Sequence, residues 1–347
     1  MESPGGFNKG KYLMNLRFHH LFCFTMTLVF TASWLPAKGP KISDPAKVDQ
    51  DYALQGEYRG ILVDDGEKSK MGAHVIAQGQ GKFNINIYEG GLPGDGWTSK
   101  NPIQSSSMLK DGQVVFKAEE GTAVLKGKSL TISNPSGTVL GTLTRVVRTS
   151  PTEGKKAPTG AVVLFDGSNA KGWKNGRLTE DKLLMEGTTS LETFQDHQLH
   201  IEFRLPYQPE DRGQGRGNSG IYVQGRYEVQ MLDSFGLAGK QNECGGLYSV
   251  KDPDVNMCYP PLQWQTYDIQ YTAARFDEQG KLAKHPRITV RHNGVLIHKD
   301  VELPGNRSTT AAPSKPGPAA GPIVLQNHGC PMRYRNIWTV KAGNNAD

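Results

Sequence analysis

Acid and amide side chains alternate with apolar ones in the stretch 217–234, GNSGIYVQGRYEVQMLDS. Glu228 and Gln230 take every second position there, and Val229 and Met231 take the alternate ones. Because successive side chains of a β-strand point to opposite sides, this pattern predicts a hairpin with one apolar face and one polar face. An acid and an amide on a sheet face meet either water or a ligand, and this hairpin alone does not decide which.

The same alternation recurs on three other predicted strands, with these polar members: Glu202 and Arg204, Gln326 and His328, and Arg333 and Arg335. Taken singly, such residues are more often solvated than functional. In a curved sandwich, however, one sheet can present its polar face as a groove. A carboxylate or an imidazole in that groove could transfer a proton, while an Arg could stabilise developing negative charge.

Other functions have less support in the sequence. No Gly-x-Ser-x-Gly elbow, dinucleotide-binding loop or Walker loop occurs. Glu228 and Asp233 could form the carboxylate pair of an ordinary glycosidase, but they lie five residues apart and do not share a strand face. The net charge of +6 is scattered, without a Lys/Arg block, so nucleic-acid binding is not indicated.

The N-terminal segment has the pattern of a secretory signal. Arg17, His19 and His20 precede a ten-residue apolar run, 21–30, and small residues follow it. The run is too short to span a bilayer, so we expect a signal peptide over residues 1–37 and export to the periplasm or the exterior. A retained membrane anchor is the alternative. No other apolar run is long enough to cross a membrane.

Three cysteines lie beyond this segment. An exported protein can keep a disulfide, and a bond between Cys244 and Cys258 would close a short loop. Cys330 is then expected to be a buried thiol. The spacing of these cysteines suits no zinc site.

The remaining chain divides into two predicted domains. Residues 38–147 begin with a polar leader and continue as short alternating runs separated by Gly, Asn and Pro turns, which predicts a small all-β domain. It contains no acid/base set, so we interpret it as a packing or binding module. Residues 148–160 are polar with two prolines and predict a linker. Residues 161–341 contain ten or more alternating strands and almost no helical periodicity, which indicates a two-sheet sandwich or jelly roll.

Residues 161–341 resemble the 3-keto-disaccharide hydrolase family. The resemblance rests on segments that occur in order, chiefly LFDGSNAKGW at 164–173, LHIEFRL at 199–205, the hairpin 217–234, WQTYDI at 264–269 and GPIVLQNHGCPMRYRNIW at 321–338. It implies an all-β, concanavalin A-like jelly-roll sandwich, here preceded by the small all-β domain. The Pro- and Ala-rich stretch 311–320 departs from the family pattern and leaves the covering of the groove open.

The resemblance also implies an exported enzyme that acts on glycosides already oxidised to a ketone at C3. The ketone acidifies the C2 hydrogen, a base removes it, the C1 aglycone leaves by elimination, and water adds to the enone. Such chemistry needs a base, donors for the enolate oxygen and an acid. We expect His328 or Glu228 as base, Arg333 with Gln230 or Asn218 at the enolate, and Glu202 as acid or as the partner that orients an Arg.

Further side chains are expected to bind the substrate: Asn218, Tyr222, Gln230, Asp233, Tyr248, Trp264, Gln326 and Arg204. A divalent metal is compatible with the His and carboxylates, but no ligand spacing identifies a metal site. The aromatic rings would equally suit a non-catalytic, lectin-like carbohydrate-binding module, which is the main alternative. A structural surface protein is the third hypothesis.

Overall fold

The computed structural model describes residues 39–98 and 101–342, so the predicted signal peptide lies outside the described residues. The segment that precedes the first strand is not a plain extended leader. It contains a 3₁₀ turn, Pro45–Lys47, and a short helix α1, Gln50–Leu54, whose first turn is capped by the Asp49 carboxylate. None of the helices in the described ranges is both long enough and apolar enough to cross a bilayer.

An antiparallel meander of eight strands follows, and it closes into a barrel because the first strand pairs with both the second and the last. The strands are β1 (Gly56–Asp64), β2 (Glu67–Gly79), β3 (Lys82–Glu89), β4 (Ile103–Lys110), β5 (Gln113–Ala118), β6 (Gly121–Lys126), β7 (Ser129–Ser133) and β8 (Val139–Val146). Asp65-Gly66 and Asp111-Gly112, two of the predicted turns, have positive φ at both residues, as tight hairpins of right-handed twist require.

The second half of the chain contributes fourteen strands to the described structure. They are β9 (Val162–Phe165), β10 (Trp173–Lys174), β11 (Leu184–Met185), β12 (Thr188–Phe194), β13 (His197–Arg204), β14 (Asn218–Val223), β15 (Tyr227–Leu232), β16 (Trp264–Thr272), β17 (Arg275–Phe276), β18 (Leu282–Lys284), β19 (Arg287–His292), β20 (Val295–Glu302), β21 (Gly321–Leu325) and β22 (Arg333–Lys341). A 3₁₀ turn, Gly213–Gly215, precedes β14.

Twelve of these strands form two sheets that face each other. The five-stranded sheet has the order β10-β12-β21-β14-β15, and the seven-stranded sheet has the order β11-β22-β13-β16-β19-β20 with β9 also paired to β22. β17 and β18 form a separate ribbon. One apolar cluster joins the inner faces of both sheets, so the domain is a sandwich, as expected for a jelly roll. The all-β fold class predicted from the sequence is confirmed.

The segment 148–160 is hydrogen-bonded to the barrel that precedes it and to the sandwich that follows it. Arg148 forms a bidentate ion pair with the buried Glu57 of the barrel, with N–O distances of 2.5 and 2.8 Å. Thr152 donates a hydrogen bond of 2.7 Å to Asp268 of the seven-stranded sheet. A polar, proline-containing segment can therefore be fixed by side-chain hydrogen bonds, which its composition alone does not reveal.

The barrel and the sandwich share contacts and belong to one compact unit. Ile76 of β2 lies in the apolar core of the sandwich, and Tyr207, which follows β13, lies in the core of the barrel. The Asn86 amide donates a 2.6 Å hydrogen bond to the carbonyl of Gly236. Apolar burial and hydrogen bonds therefore both hold the two halves together.

The disulfide expected between Cys244 and Cys258 is not formed. Cys244, Cys258 and Cys330 are all free and buried. The Cys244 thiol instead contacts the Tyr267 hydroxyl at 3.3 Å, and burial raises the pKa of Cys258 well above its usual value. Small apolar thiols in a core are stable without oxidation, and Cys330 follows the same rule, as the sequence indicated.

Candidate active site

The two sheets turn their polar faces in opposite directions. Ile201 and Phe203 of β13 and Val229 and Met231 of β15 meet in the same core, between the sheets. Because strand side chains alternate, the neighbours of these residues point away from that core. Glu228 therefore lies on the outer face of the five-stranded sheet, whereas Glu202 lies on the outer face of the seven-stranded sheet.

Glu228 is the centre of a small polar cluster on the five-stranded sheet. Its Oε2 accepts a 2.8 Å hydrogen bond from the hydroxyl of Tyr222, which is its cross-strand partner on β14. The same hydroxyl accepts a 3.0 Å hydrogen bond from the side-chain amide of Gln326, beyond the end of β21. The register of three neighbouring strands thus aligns an acid, a phenol and an amide in one row.

Burial changes the acid–base properties of this row. Glu228 is 2% exposed, and the cost of burying a carboxylate raises its pKa to about 7, although the Tyr222 hydrogen bond opposes the rise. Burial, together with the nearby Glu228 charge, raises the pKa of Tyr222 above its usual value. A carboxyl group that exchanges its proton near neutral pH, while a phenol holds one of its oxygens, is suited to general acid–base catalysis.

Gly220 gives the Glu228 carboxylate its space. The two residues lie on the same face of paired strands, and a Cβ at position 220 would overlap Oε1 of Glu228. Gly220 has an ordinary φ, so close approach and not backbone conformation requires a glycine at this position.

A second group of amides continues the same face toward the start of β14. The Oε1 atom of Gln214 accepts hydrogen bonds from the side-chain amides of Asn218 and Gln230, at 3.1 and 3.2 Å. Gln214 in turn donates a 2.6 Å bond to the carbonyl of Asn242. These amides are therefore oriented by one another.

Loop residues pack against the cluster. The hydroxyl of Thr309 accepts a 3.0 Å hydrogen bond from the backbone N–H of Glu228 and donates to the carbonyl of Arg226. The backbone N–H of Tyr248 donates to the carbonyl of Glu228, and the Tyr248 phenol lies close enough to Tyr222 to contribute to its raised pKa. Tyr248 and Gln326 are half-buried, whereas Glu228 and Tyr222 are fully buried, so of these four residues only the first two reach solvent.

The long loop with the Pro- and Ala-rich stretch is fixed over the hairpin turn. The N–H of Ser314 donates to the carbonyl of Gly225, and the Arg226 guanidinium donates to the carbonyls of Lys315 and Ala319. This stretch therefore covers the turn at one end of the polar face.

Glu202, expected as the acid, is instead part of an ion network on the opposite side of the sandwich. Its carboxylate accepts hydrogen bonds from Arg335 at 2.6 Å, Asn336 at 2.7 Å and the N–H of Gly154 at 2.6 Å. Burial alone would raise the pKa of Glu202, but the His200 imidazole 3.7 Å away and the hydrogen bonds from Asn336, Arg335 and Gly154 lower it to about 2. A carboxylate held so firmly in its ionised form is suited to structure and not to proton donation.

Three more residues expected in the site also lie on the seven-stranded sheet: Arg204, Trp264 and Arg333. Arg204 and Arg335 stack on the Trp264 ring, with guanidinium carbons 5.0 and 4.0 Å from its centre. Arg333 faces Glu186 at 3.6 Å and donates to Ser43 at 3.3 Å. The structure therefore separates Glu202, Arg204, Trp264 and Arg333 from Glu228.

The two remaining candidates, Asp233 and His328, lie outside the strands of both sheets. Asp233 follows β15, is fully buried, and pairs with Arg216 at 3.0 Å. Burial raises the pKa of Asp233 despite this partner. His328 is exposed in the loop that follows Gln326 and connects the two sheets. Among the contacts of the described residues, none joins His328 to Glu228.

The polar face of the five-stranded sheet and the loop beside it thus bring together six of the expected residues: Asn218, Tyr222, Glu228, Gln230, Tyr248 and Gln326. Sequence reasoning missed Gln214 and Thr309, which lie in loops without periodicity.

Over the described parts of the chain, no three His, Cys, Asp or Glu side chains converge as metal ligands would. The described side chains therefore do not form the ligand set of a metal site.

Comparison with known proteins agrees with the resemblance drawn from the sequence. The family model of the 3-keto-alpha-glucoside-1,2-lyase-like domain matches residues 160–340, more than half of the 347 residues. No curated protein matches the chain.

Three solved structures of candidate glycosyl hydrolases from Parabacteroides distasonis are similar to this chain. The first is 34% identical, with a TM-score of 0.49, and the match covers 54% of this chain and 85% of that one. The second is 16% identical, with a TM-score of 0.40 and coverages of 56% and 98%. The third is 18% identical, with a TM-score of 0.37 and coverages of 52% and 99%.

Proposed function

Because the chain belongs to the 3-keto-disaccharide hydrolase family, we propose that it cleaves glycosides whose sugar carries a ketone at C3. The family places the chain among glycoside-cleaving proteins, and the residues around Glu228 support the finer proposal. The single observation that carries it is a buried carboxyl group with a pKa of about 7, held by a phenol on a polar sheet face.

Glu228 is the base of the proposed mechanism. It removes the C2 proton, which the neighbouring C3 ketone makes acidic, and the electron pair forms an enolate. The enolate then expels the aglycone by breaking the C1–O bond, which leaves an enone. Water adds to C1 of the enone, C2 takes back a proton, and the net result is hydrolysis. A base with a pKa near the working pH is effective in such a step because it can both accept and return the proton.

In this proposal, uncharged hydrogen-bond donors stabilise the negative charge of the enolate oxygen. The amide of Gln326 donates one described hydrogen bond, to Tyr222, and its second N–H is the proposed donor to the enolate oxygen. The amides of Asn218 and Gln230 share the face with Glu228, and they would exchange their bonds to Gln214 for bonds to the enolate when the substrate binds. This role replaces the one expected for Arg333. The half-buried phenol of Tyr248 is the proposed acid for the leaving oxygen, with the exposed imidazole of His328 as the alternative.

We further propose that residues 1–37 direct export, since their charged start, short apolar run and small residues have the pattern of a signal peptide. Mass spectrometry of the protein from its native host, fractionated by compartment, tests this: an N-terminus beginning between residues 34 and 39 in the exported fraction is expected. An intact N-terminus in the cytoplasm would contradict export.

The test of function compares two buried carboxylates on opposite faces of the sandwich. Release of 4-nitrophenol from its 3-keto-glucoside is measured for the wild type, Glu228→Gln and Glu202→Gln. We expect Glu228→Gln to lower kcat by roughly 10²–10⁴-fold, the usual contribution of a general base. Glu202→Gln should keep kcat within a few-fold and lower only stability.

Further measurements distinguish the proposed enzyme from the alternative functions and test the choice of base. The corresponding glucoside without the ketone should not be cleaved, because its C2 hydrogen is not acidic. If His328→Ala abolishes turnover while Glu228→Gln does not, His328 is the base. Calorimetric binding of the keto-glucoside by the wild type without turnover would favour a lectin-like module, and neither binding nor turnover would favour a structural role.

A further inference from the structure

The interior of the barrel is not completely filled by side chains. A cavity of about 160 Å³ lies inside it, and its wall includes Leu62, Met71, Ile85, Phe116, Ala123 and Ile132. These side chains come from six of the eight strands and are all at most 9% exposed. Natural cores seldom keep an empty space larger than a water molecule, so a cavity of this size needs an explanation.

This inner chamber continues into a wider space. A second cavity, of about 480 Å³, shares Leu62, Met71 and Ile87 with the first. Its remaining wall includes the polar side chains of Asp64, Ser69 and Glu89. An apolar chamber thus lies beside a larger space, here called the mouth, whose wall is partly polar.

Size and wall chemistry together limit what can enter. An engineered cavity of about 150 Å³ with Leu, Ile and Phe walls stays dry and binds benzene, and the barrel chamber has nearly the same volume and the same kind of wall. Eight-stranded barrels are also just wide enough to hold one small ligand. We propose that the barrel binds a small molecule with a single aromatic ring, whose ring enters the chamber and whose polar substituent remains in the mouth.

Other ligand classes fit the chamber poorly. A cavity of about this volume holds the six carbons of benzene, so a long acyl chain would extend beyond the chamber and against the polar side chains of the mouth. A sugar would bury its hydroxyl groups against Leu, Ile, Met and Phe, where they would lose hydrogen bonds to water without replacement. Lys117 and Glu120 also border the chamber, but both are exposed and leave its deep wall apolar.

This inference is independent of the proposed catalysis, since the chamber contains none of the residues placed around Glu228. Phenol is the probe, because it combines one ring with one polar group. Ligand-observed saturation-transfer NMR and the thermal unfolding midpoint are measured against phenol concentration. Saturable binding and a rising midpoint are expected, because a ligand that binds only the folded state stabilises it.

The test compares two substitutions that each add a phenyl ring, one inside the barrel and one on its exposed surface. Ala123→Phe fills the chamber and should weaken phenol binding at least tenfold. Val139→Phe adds the same ring at a position that is 61% exposed and should leave binding unchanged. Circular dichroism checks that both variants fold.

If Ala123→Phe does not fold, Ile85→Ala keeps the proposal testable. It enlarges the chamber, and 2-naphthol should then bind more tightly than it does to the wild type. Three results would overturn the proposal: no saturable phenol binding to the wild type, equal phenol binding by folded Ala123→Phe, or preferential binding of decanoate or glucose over phenol.

Discussion

Two glutamates at polar strand positions have opposite acid–base behaviour here. Glu228 has one described side-chain hydrogen-bond partner, the Tyr222 hydroxyl, and burial raises its pKa to about 7. Glu202 accepts hydrogen bonds from two side chains and a backbone N–H, and its pKa is lowered to about 2. The number of donors around each carboxylate decides which of them can exchange a proton under ordinary conditions.

The raised pKa of Glu228 predicts the pH dependence of catalysis. A base must be deprotonated to act, so kcat/KM for a 3-keto-glucoside should rise with pH and level off above about pH 7. Initial rates between pH 5 and 9 measure this profile. The residual activity of Glu228→Gln should lack that rise, and an unchanged profile in the variant would assign the ionisation to another group.

The raised pKa of Glu228 also makes stability depend on pH, but stability falls with rising pH whereas activity should rise. The ordinary pKa of this carboxyl group is 4.5, and its pKa in the folded state is about 7. Between these two pH values the folded state holds a proton on Glu228 that the unfolded state has lost, so the free energy of unfolding falls as the pH rises. The loss amounts to about 3 kcal/mol at most. Urea unfolding at pH 5 and pH 8 should therefore show a smaller pH dependence for Glu228→Gln than for the wild type.

Gly220→Ala tests how closely the carboxylate must be held. The added methyl group would overlap Oε1 of Glu228, so the carboxylate must move away from Tyr222. We expect a loss of stability of about 1–3 kcal/mol, typical of overpacking, together with a fall in kcat of at least tenfold. Gly317→Ala is the control, because the nearest atom to its Cβ would be 4.0 Å away. Wild-type kcat in Gly220→Ala would show that the observed carboxylate position is not needed.

At the scale of elements, the connector between barrel and sandwich is held by specific hydrogen bonds. Thr152 donates to Asp268 at 2.7 Å and contacts Thr266 at 2.9 Å. Thr152→Val keeps the shape and removes both interactions, which should cost about 1–3 kcal/mol because an ionised acceptor is involved. Equilibrium unfolding measures the loss, while activity should not change.

Thr131→Val provides the matched control for the connector. Its hydroxyl faces that of Thr142 at 3.4 Å on the exposed side of the barrel, so its removal should change stability by less than about 0.5 kcal/mol. Equal effects of the two substitutions would show that the connector is not fixed by the Thr152 hydroxyl.

The elements themselves could be predicted from the sequence because alternation and turn chemistry are local. Asn-Gly is a strong hairpin-turn signal, and Asn293-Gly294 connects β19 to β20 with positive φ at both residues. Which sheet a strand joins is not local. Glu202 and Glu228 have the same alternating pattern, yet their strands belong to opposite sheets, so their polar faces point apart. The loops that supply Gln214 and Thr309 carry no periodic signal at all.

For the whole molecule, the barrel and the sandwich should unfold together. Ile76 belongs to a barrel strand but is 4% exposed within the core of the sandwich. Ile76→Ala should lower the stability of the entire unit by about 2–5 kcal/mol, the usual cost of such a cavity. Denaturant unfolding followed by circular dichroism and by tryptophan fluorescence should give one shifted transition.

Ile61→Ala is the control for this prediction, because Ile61 lies on the same barrel but is 58% exposed. Its substitution should leave the transition nearly unchanged. Two separate transitions in Ile76→Ala, with the sandwich unaffected, would show that the two halves unfold independently.

The enclosure of Glu228 has a consequence for the hydrogen atom that the proposed mechanism transfers to it. A carboxyl group that is only 2% exposed exchanges its proton slowly with bulk water, so in that mechanism the atom removed from C2 would remain on Glu228 while the aglycone departs and water adds. The same atom would then return to the sugar that lost it. A substrate deuterated at C2 would accordingly give a product that retains part of its label in ordinary water, whereas a base open to solvent would wash the label out.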